Sequence, residues 1–132
     1  MLKLSPSARA LIVAEAEKGY PHEVCGILLG RGAEVSEAHP AKNSNTDRSR
    51  DRYLIDSLDQ LSIEKDARAR GLDVLGYYHS HPDHPARPSV TDAEQSWENV
   101  TYVIVGVEAG SVRAVTAWRR ASGQKDLVEQ AL

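Results

Sequence analysis

The chain has 132 residues, enough for one compact domain with a modest core, and a single domain over 1–132 is expected. Its 16 Lys and Arg against 19 Asp and Glu leave a net charge of −3, which gives no electrostatic case for nucleic acid or an anionic membrane as partner. One cysteine excludes an intrachain disulfide framework, and the opening Met1 to Pro6 lacks the long apolar run of a signal peptide or membrane span, so a cytoplasmic protein is expected.

Ser5 followed by Pro6 predicts a helix start, with the serine oxygen as N-cap and proline at the first helical position. Ala8, Leu11, Ile12, Ala14 and Ala16 give it a partly apolar face, and Gly19 with Pro21 stops it. Cys25 to Leu29 reads as a buried strand with a partner around Glu34 to His39, joined by Gly30-Arg31-Gly32 as a tight link. Asn43 to Arg52 is polar enough for a mobile loop, and Arg52 to Ile55 suits a short strand. Asp56 or Ser57 then caps a helix with apolar positions Leu58, Leu61, Ile63 and Ala67, ending at Gly71.

Leu72 to His81 is the next strand, and Thr91 to Glu98 a short helix behind it. Thr101 to Val107 is apolar nearly throughout, as an interior strand is, and Val112 to Trp118 pairs with it across Glu108-Ala109-Gly110-Ser111. The tail Gly123 to Leu132 suits either a strand or a helix. This order of elements predicts an α/β or α+β fold, a mixed sheet flanked by helices.

The chemistry concentrates in Gly76-Tyr77-Tyr78-His79-Ser80-His81-Pro82, followed by Ser89 and Asp92. Alternate residues of a strand leave on one face, so His79 and His81 project together from its end, and Pro82 stops the pairing. Ser89-Val90-Thr91-Asp92 is a capping sequence that sets Asp92 on a rigid turn. Two imidazoles and one carboxylate suit zinc and leave the fourth position open to water, the pattern of a catalytic rather than a structural site. An isolated His-x-His is more often a polar strand end; the spacing to Ser89 and Asp92 favours the metal.

His79-x-His81-Pro82, six further residues, Ser89, two residues and Asp92 resembles the JAMM signature of the MPN-domain metalloproteases. The family also has an upstream glutamate, and Pro21-His22-Glu23-Val24-Cys25-Gly26 supplies one in the matching run. The resemblance covers nearly the whole chain. It implies a cytidine-deaminase-like three-layer MPN fold, one Zn2+ per chain held by His79, His81 and Asp92, and Glu23 and Ser89 as catalytic residues. A carboxylate at the position of Glu23 takes a proton from water and delivers it to the leaving amine. Ser89 has two compatible jobs, capping the helix that carries Asp92 and donating to a developing oxyanion.

Cys25 begins an apolar run and reads as a small buried hydrophobe rather than a nucleophile. His22 and His39 read as surface or supporting residues, and His84 as a solvated loop histidine near the site. Tyr77 and Tyr78 fall on opposite faces, and Trp97 and Trp118 are assigned to packing.

The implied reaction is hydrolysis of a peptide or isopeptide bond. The short chain and the run His79 to Ser89 look most like stand-alone prokaryotic members that act at the C-terminal diglycine of ubiquitin-like sulfur-carrier proteins, for example releasing cysteine. Such a tail is thin enough to lie along a sheet edge as an added strand. A broader deubiquitinase-like isopeptidase and a non-catalytic metal-binding scaffold are the alternatives; a zinc deaminase needs a Pro-Cys-x-x-Cys that a single cysteine excludes. The oligomeric state is left open by the sequence.

Overall fold

A computed structural model describes residues 2–132 as one seven-stranded mixed sheet with helices on both faces. The strands are β1 (Lys3–Leu4), β2 (Cys25–Arg31), β3 (Glu34–Ala41), β4 (Asp73–Pro82), β5 (Thr101–Glu108), β6 (Ser111–Arg119) and β7 (Val128–Gln130). The helices are α1 (Pro6–Gly19), α2 (Ser57–Ala69) and α3 (Val90–Gln95). The spatial order β1-β3-β2-β4-β5-β6-β7 places β4 in the middle, antiparallel to β2 and parallel to β5. No helix among the described residues is long and apolar enough to cross a membrane.

From Tyr77 onwards, past a register shift against β2, the two faces divide by residue parity along β4. Tyr78 faces α1, in a core with Ala8, Ile12, Leu28, Val103 and Val105. Tyr77 faces the other way, towards α2, with Ile27, Leu29 and Ala67. A strand's period of two carries the same division to its end, so His79 and His81 emerge on the α2 side while Ser80 points to the α1 side. That makes three layers, helix on sheet on helix, as expected.

Helix α1 begins as its sequence predicts: the Ser5 hydroxyl accepts from Ala8 N at 3.1 Å. Ala8, Ile12 and Ala16 are buried on it, whereas Ala14 is exposed. The α2 start is also as expected, with Asp56 accepting from Asp59 N. Its apolar face is not. Only Ala67 is buried, and Leu58 is 76% exposed. The helix covers only the Ile27–Tyr77 side of the sheet, so its first turns overhang.

Gly26 follows from close approach: a Cβ there would lie 2.3 Å from the Tyr78 ring. The β2–β3 link is Gly32-Ala33 rather than Gly30-Arg31-Gly32, with Gly32 at φ +61°. Gly30 lies in the strand beside a register shift. The expected strand Arg52 to Ile55 reduces to one isolated bridge between Asn43 and Ile55. The short helix ends at Gln95, which releases Trp97 to solvent at 70% exposure instead of packing it. The tail resolves as strand β7, and β1 was not legible in two residues.

Candidate metal centre

The three ligand candidates arrive from two elements. His79 and His81 stand at the end of β4, between β2 and β5, and Asp92 is in the first turn of α3. Ser89 caps that helix reciprocally: its hydroxyl accepts from Asp92 N at 3.0 Å, and the Asp92 carboxylate accepts from Ser89 N at 2.9 Å. Asp92 is thereby fixed on a rigid turn, as its spacing predicts.

The side chains converge. His79 Nε2 and His81 Nε2 are 3.1 Å apart, and they lie 3.2 and 3.0 Å from Asp92 Oδ2. Both histidines are buried. His81 Nδ1 is 2.9 Å from the Pro85 carbonyl oxygen. A carbonyl only accepts, so Nδ1 carries the hydrogen, and a neutral His81 then turns a bare Nε2 lone pair towards the carboxylate. Two acceptors at that distance repel unless positive charge lies between them.

Without a metal that charge is a proton, which one pair of the three atoms can share. Burial opposes a charge on His81, but the Asp92 carboxylate and the Pro85 carbonyl outweigh it and raise its pKa above the ordinary value. Burial holds the His79 pKa below the usual range. Burial also pushes Asp92 upwards, yet bonds from both imidazoles and from Ser89 N hold it far below the usual carboxylate range. A cation satisfies all three atoms together. Ligands about 2.0–2.1 Å from a tetrahedral zinc sit roughly 3.3–3.4 Å from one another, close to the separations here. The donor set therefore fits zinc. His79 Nδ1 has no hydrogen-bond partner among the described residues, and the Tyr53 ring stacks on the imidazole with centroids 4.3 Å apart.

Glu23 precedes β2, whose first residue, Cys25, pairs with His79. The glutamate lines a cleft of about 400 Å³ with His81, Ser89, Arg52 and Arg87. The residue is 5% exposed, and burial first, with the negative charge of Asp92 adding, pushes its pKa to about 7. That value suits a group that both takes and gives a proton near neutrality. Glu23, His81 and Ser89 thus line one cleft, and His79 and Asp92 join it through their contacts with His81.

What holds Glu23 there was not legible. Ser80, fully buried between the two histidines, accepts from Val24 N at 2.9 Å, and its own N–H donates to the Val24 carbonyl at 3.0 Å. Asn43 donates to the Glu23 carbonyl and to that of Arg52, both at 3.1 Å, while its side-chain oxygen accepts from Asn45 N and Leu54 N. The polar loop expected to be mobile is thus internally bonded. Alternation from His79 assigns Ser80 to the opposite face; nothing in the sequence pairs it with Val24.

Cys25 is buried, its thiol lies near the Ala41 carbonyl at 3.6 Å, and burial pushes its pKa to about 12, consistent with a packing role. His22 lies 2.6 Å from the Ser49 hydroxyl and His39 pairs with Glu37, both away from the ligand atoms, while His84 is exposed on the cleft wall. The cluster ends an interior strand, while β7 and the part of β3 beyond its short pairing with β1 form the open edges of the sheet.

Comparison with known proteins adds an independent line. The family model for prokaryotic homologs of the JAB domain matches residues 5–121. A desampylase from Haloferax volcanii is 37% identical over 110 residues, 78% of either chain. A probable TtuB-protein conjugate cleaving protease from Thermus thermophilus is 36% identical over 105 residues, 80% of this chain and 67% of that one. A CysO-cysteine peptidase from Mycobacterium bovis is 31% identical over 114 residues, 85% of this chain and 77% of that one. Among solved structures, a protein from Desulfitobacterium hafniense superposes with a TM-score of 0.83 at 29% identity, covering 98% of this chain and 90% of the other. A JAB1/MPN domain protein from Archaeoglobus fulgidus, 19% identical, shares the fold with a TM-score of 0.61 over 97% and 94% of the two chains.

Proposed function

The chain belongs to the prokaryotic homologs of the JAB domain, and on that premise we propose that it is a zinc metallopeptidase of the JAMM type, cleaving the peptide or isopeptide bond after the C-terminal diglycine of a ubiquitin-like sulfur-carrier protein. The observation that carries the chemistry is the meeting of His79 Nε2, His81 Nε2 and Asp92 Oδ2 at 3.0–3.2 Å, with the His81 tautomer set by Pro85. The substrate class follows the relatives, named as a desampylase, a TtuB-protein conjugate cleaving protease and a CysO-cysteine peptidase.

His79, His81 and Asp92 hold the ion, one per chain. Zinc bound there supplies a Lewis acid that acidifies water to a pKa of about 7 and polarises a carbonyl. Glu23 accepts the proton of the attacking water and returns it to the departing amine. Ser89 accepts from Asp92 N through its oxygen and keeps its own hydrogen to donate to the oxyanion, so the cap and the catalytic role coexist. The closed-off position of Cys25 argues against a covalent acyl-enzyme route. Glycines at the end of the substrate let its backbone approach the recessed centre without Cβ clashes.

The test is mass spectrometry on zinc-loaded protein mixed with sulfur-carrier proteins extended by one residue beyond the diglycine, with ubiquitin dimers and glycine-free peptides alongside. Release of the added residue from the carriers, abolished by a chelator, is the expected result. Faster cutting of ubiquitin dimers or of glycine-free peptides would refute the assigned specificity.

A further inference from the structure

The cleft beside the metal centre contains one charge that hydrolysis itself does not use. Asp51 is held by Arg48 through two contacts, at 2.6 and 3.2 Å. Asp92 is taken up by the two imidazoles and Ser89 N. Glu23 shares its wall with Arg52, which acts on it electrostatically while one of its nitrogens donates to the Asp51 carbonyl at 2.9 Å. Every carboxylate lining the cleft is therefore accounted for. Arg87 lines the cleft with Glu23 and Ser89 as well, and whereas Arg52 bonds the Asp51 carbonyl, the Arg87 guanidinium has neither an ion pair nor a hydrogen bond among the described residues.

The backbone that carries Arg87 is pinned on both sides. The Pro85 carbonyl accepts from His81 Nδ1 and from Arg87 N at 2.8 Å, and the Ala86 carbonyl accepts from the Thr116 hydroxyl at 2.7 Å. A fixed base with a free planar fork is arranged to receive a carboxylate in two parallel bonds. In a substrate whose scissile nitrogen belongs to a C-terminal residue, one carbon separates that nitrogen from a free α-carboxylate. The charge then enters the same cleft as the reacting bond. A lysine isopeptide brings no such charge, because the lysine carboxyl is tied up in its own chain.

We propose that Arg87 binds the free α-carboxylate of the residue being released, so that the cleft selects a single C-terminal amino acid over a lysine side chain as leaving group. This rests on the cleavage proposed above and narrows it from peptide or isopeptide to a peptide bond at the chain end. Hydrolysis adds water across the bond, leaving the carrier with a terminal glycine carboxylate and freeing the amino acid with its own carboxylate on Arg87.

The test uses two semisynthetic forms of one sulfur-carrier protein, ending in Gly-Gly-Ala with a free carboxylate or in Gly-Gly-alaninamide. Zinc-loaded wild type is expected to favour the acid by roughly 10- to 100-fold in kcat/KM, most of it in KM, the range for a charge-assisted bond. Arg87→Gln should collapse that ratio towards one, and Arg87→Lys should restore part of it, while zinc content stays at the wild-type level in both. Equal cutting of acid and amide by wild type, or an unchanged ratio in Arg87→Gln, overturns the assignment and leaves the metallopeptidase reading standing. Failure of the zinc-loaded protein to cut either form removes that reading and this inference together.

Discussion

Ser80→Ala separates the scaffold of the site from its ligands. The serine is fully buried and its oxygen is the acceptor of the Val24 N–H at 2.9 Å, one residue from Glu23. Removing it orphans a donor beside the sheet interior, which costs about 1–3 kcal/mol. The second contact, Ser80 N to the Val24 carbonyl at 3.0 Å, survives because it is backbone to backbone. For a domain of this size the loss corresponds to a drop in melting temperature of roughly 3–12 °C. Zinc content should not change, since Ser80 points to the α1 face while His79 and His81 point to the other. Turnover should fall by up to about 10²-fold, because a small displacement of the proton-carrying group is enough to spoil its alignment. Calorimetry, elemental analysis and steady-state kinetics on one preparation read all three. A variant that melts and turns over like wild type would refute the account of how Glu23 is held; one that loses its zinc would show that Ser80 acts through the ligands instead.

Glu23→Gln should keep fold and zinc but lose about 10²–10⁴-fold in turnover, and near-normal turnover in a zinc-replete preparation would take Glu23 out of the mechanism. The same variant tests the buried carboxyl in metal-free protein. A folded pKa raised from 4.5 to about 7 gives stability that is fully present below pH 4.5 and lost as the pH rises through 7, a difference on the order of 3 kcal/mol. Chemical denaturation should therefore find Glu23→Gln gaining on wild type between pH 4.5 and 8; parallel curves would contradict this. Cys25 should resist alkylation in the native state, and Cys25→Ala should retain turnover within a few-fold, because its thiol is buried with a pKa of about 12. A large loss of turnover with zinc retained would reopen a nucleophilic role.

Most of the site was legible because local rules determine it. The period of a strand puts His79 and His81 on one face, and Ser89-x-x-Asp92 is a cap whose geometry depends on neighbouring residues alone. Glu23 needed the family resemblance, since a glutamate after a helix stop has no pattern of its own. The bonds that position it, Ser80 to Val24 and Asn43 to Glu23, join residues 56 and 20 positions apart, and no periodicity reports such pairs. The misreadings on α2 and at Trp97 share one cause. Apolar spacing says which side chains share a face, but not how far the neighbouring layer extends to cover it, and Leu58 and Trp97 fall beyond it. The Arg52 to Ile55 segment falls short of a strand because its backbone bonds, Ser44 N to the Leu54 carbonyl and Asp56 N to the Lys42 carbonyl, make a single bridge, and Asn43 side-chain bonds hold the rest.

The central claim is that three side chains hold one zinc ion, and elemental analysis after dialysis against metal-free buffer reads it directly. Wild type purified without chelator should retain one zinc per chain. His81→Ala and Asp92→Ala, folded by circular dichroism, should retain less than about a tenth of that, because two ligands do not close a zinc site. Full zinc content in either folded variant would show that the cluster of His79, His81 and Asp92 is not the metal centre.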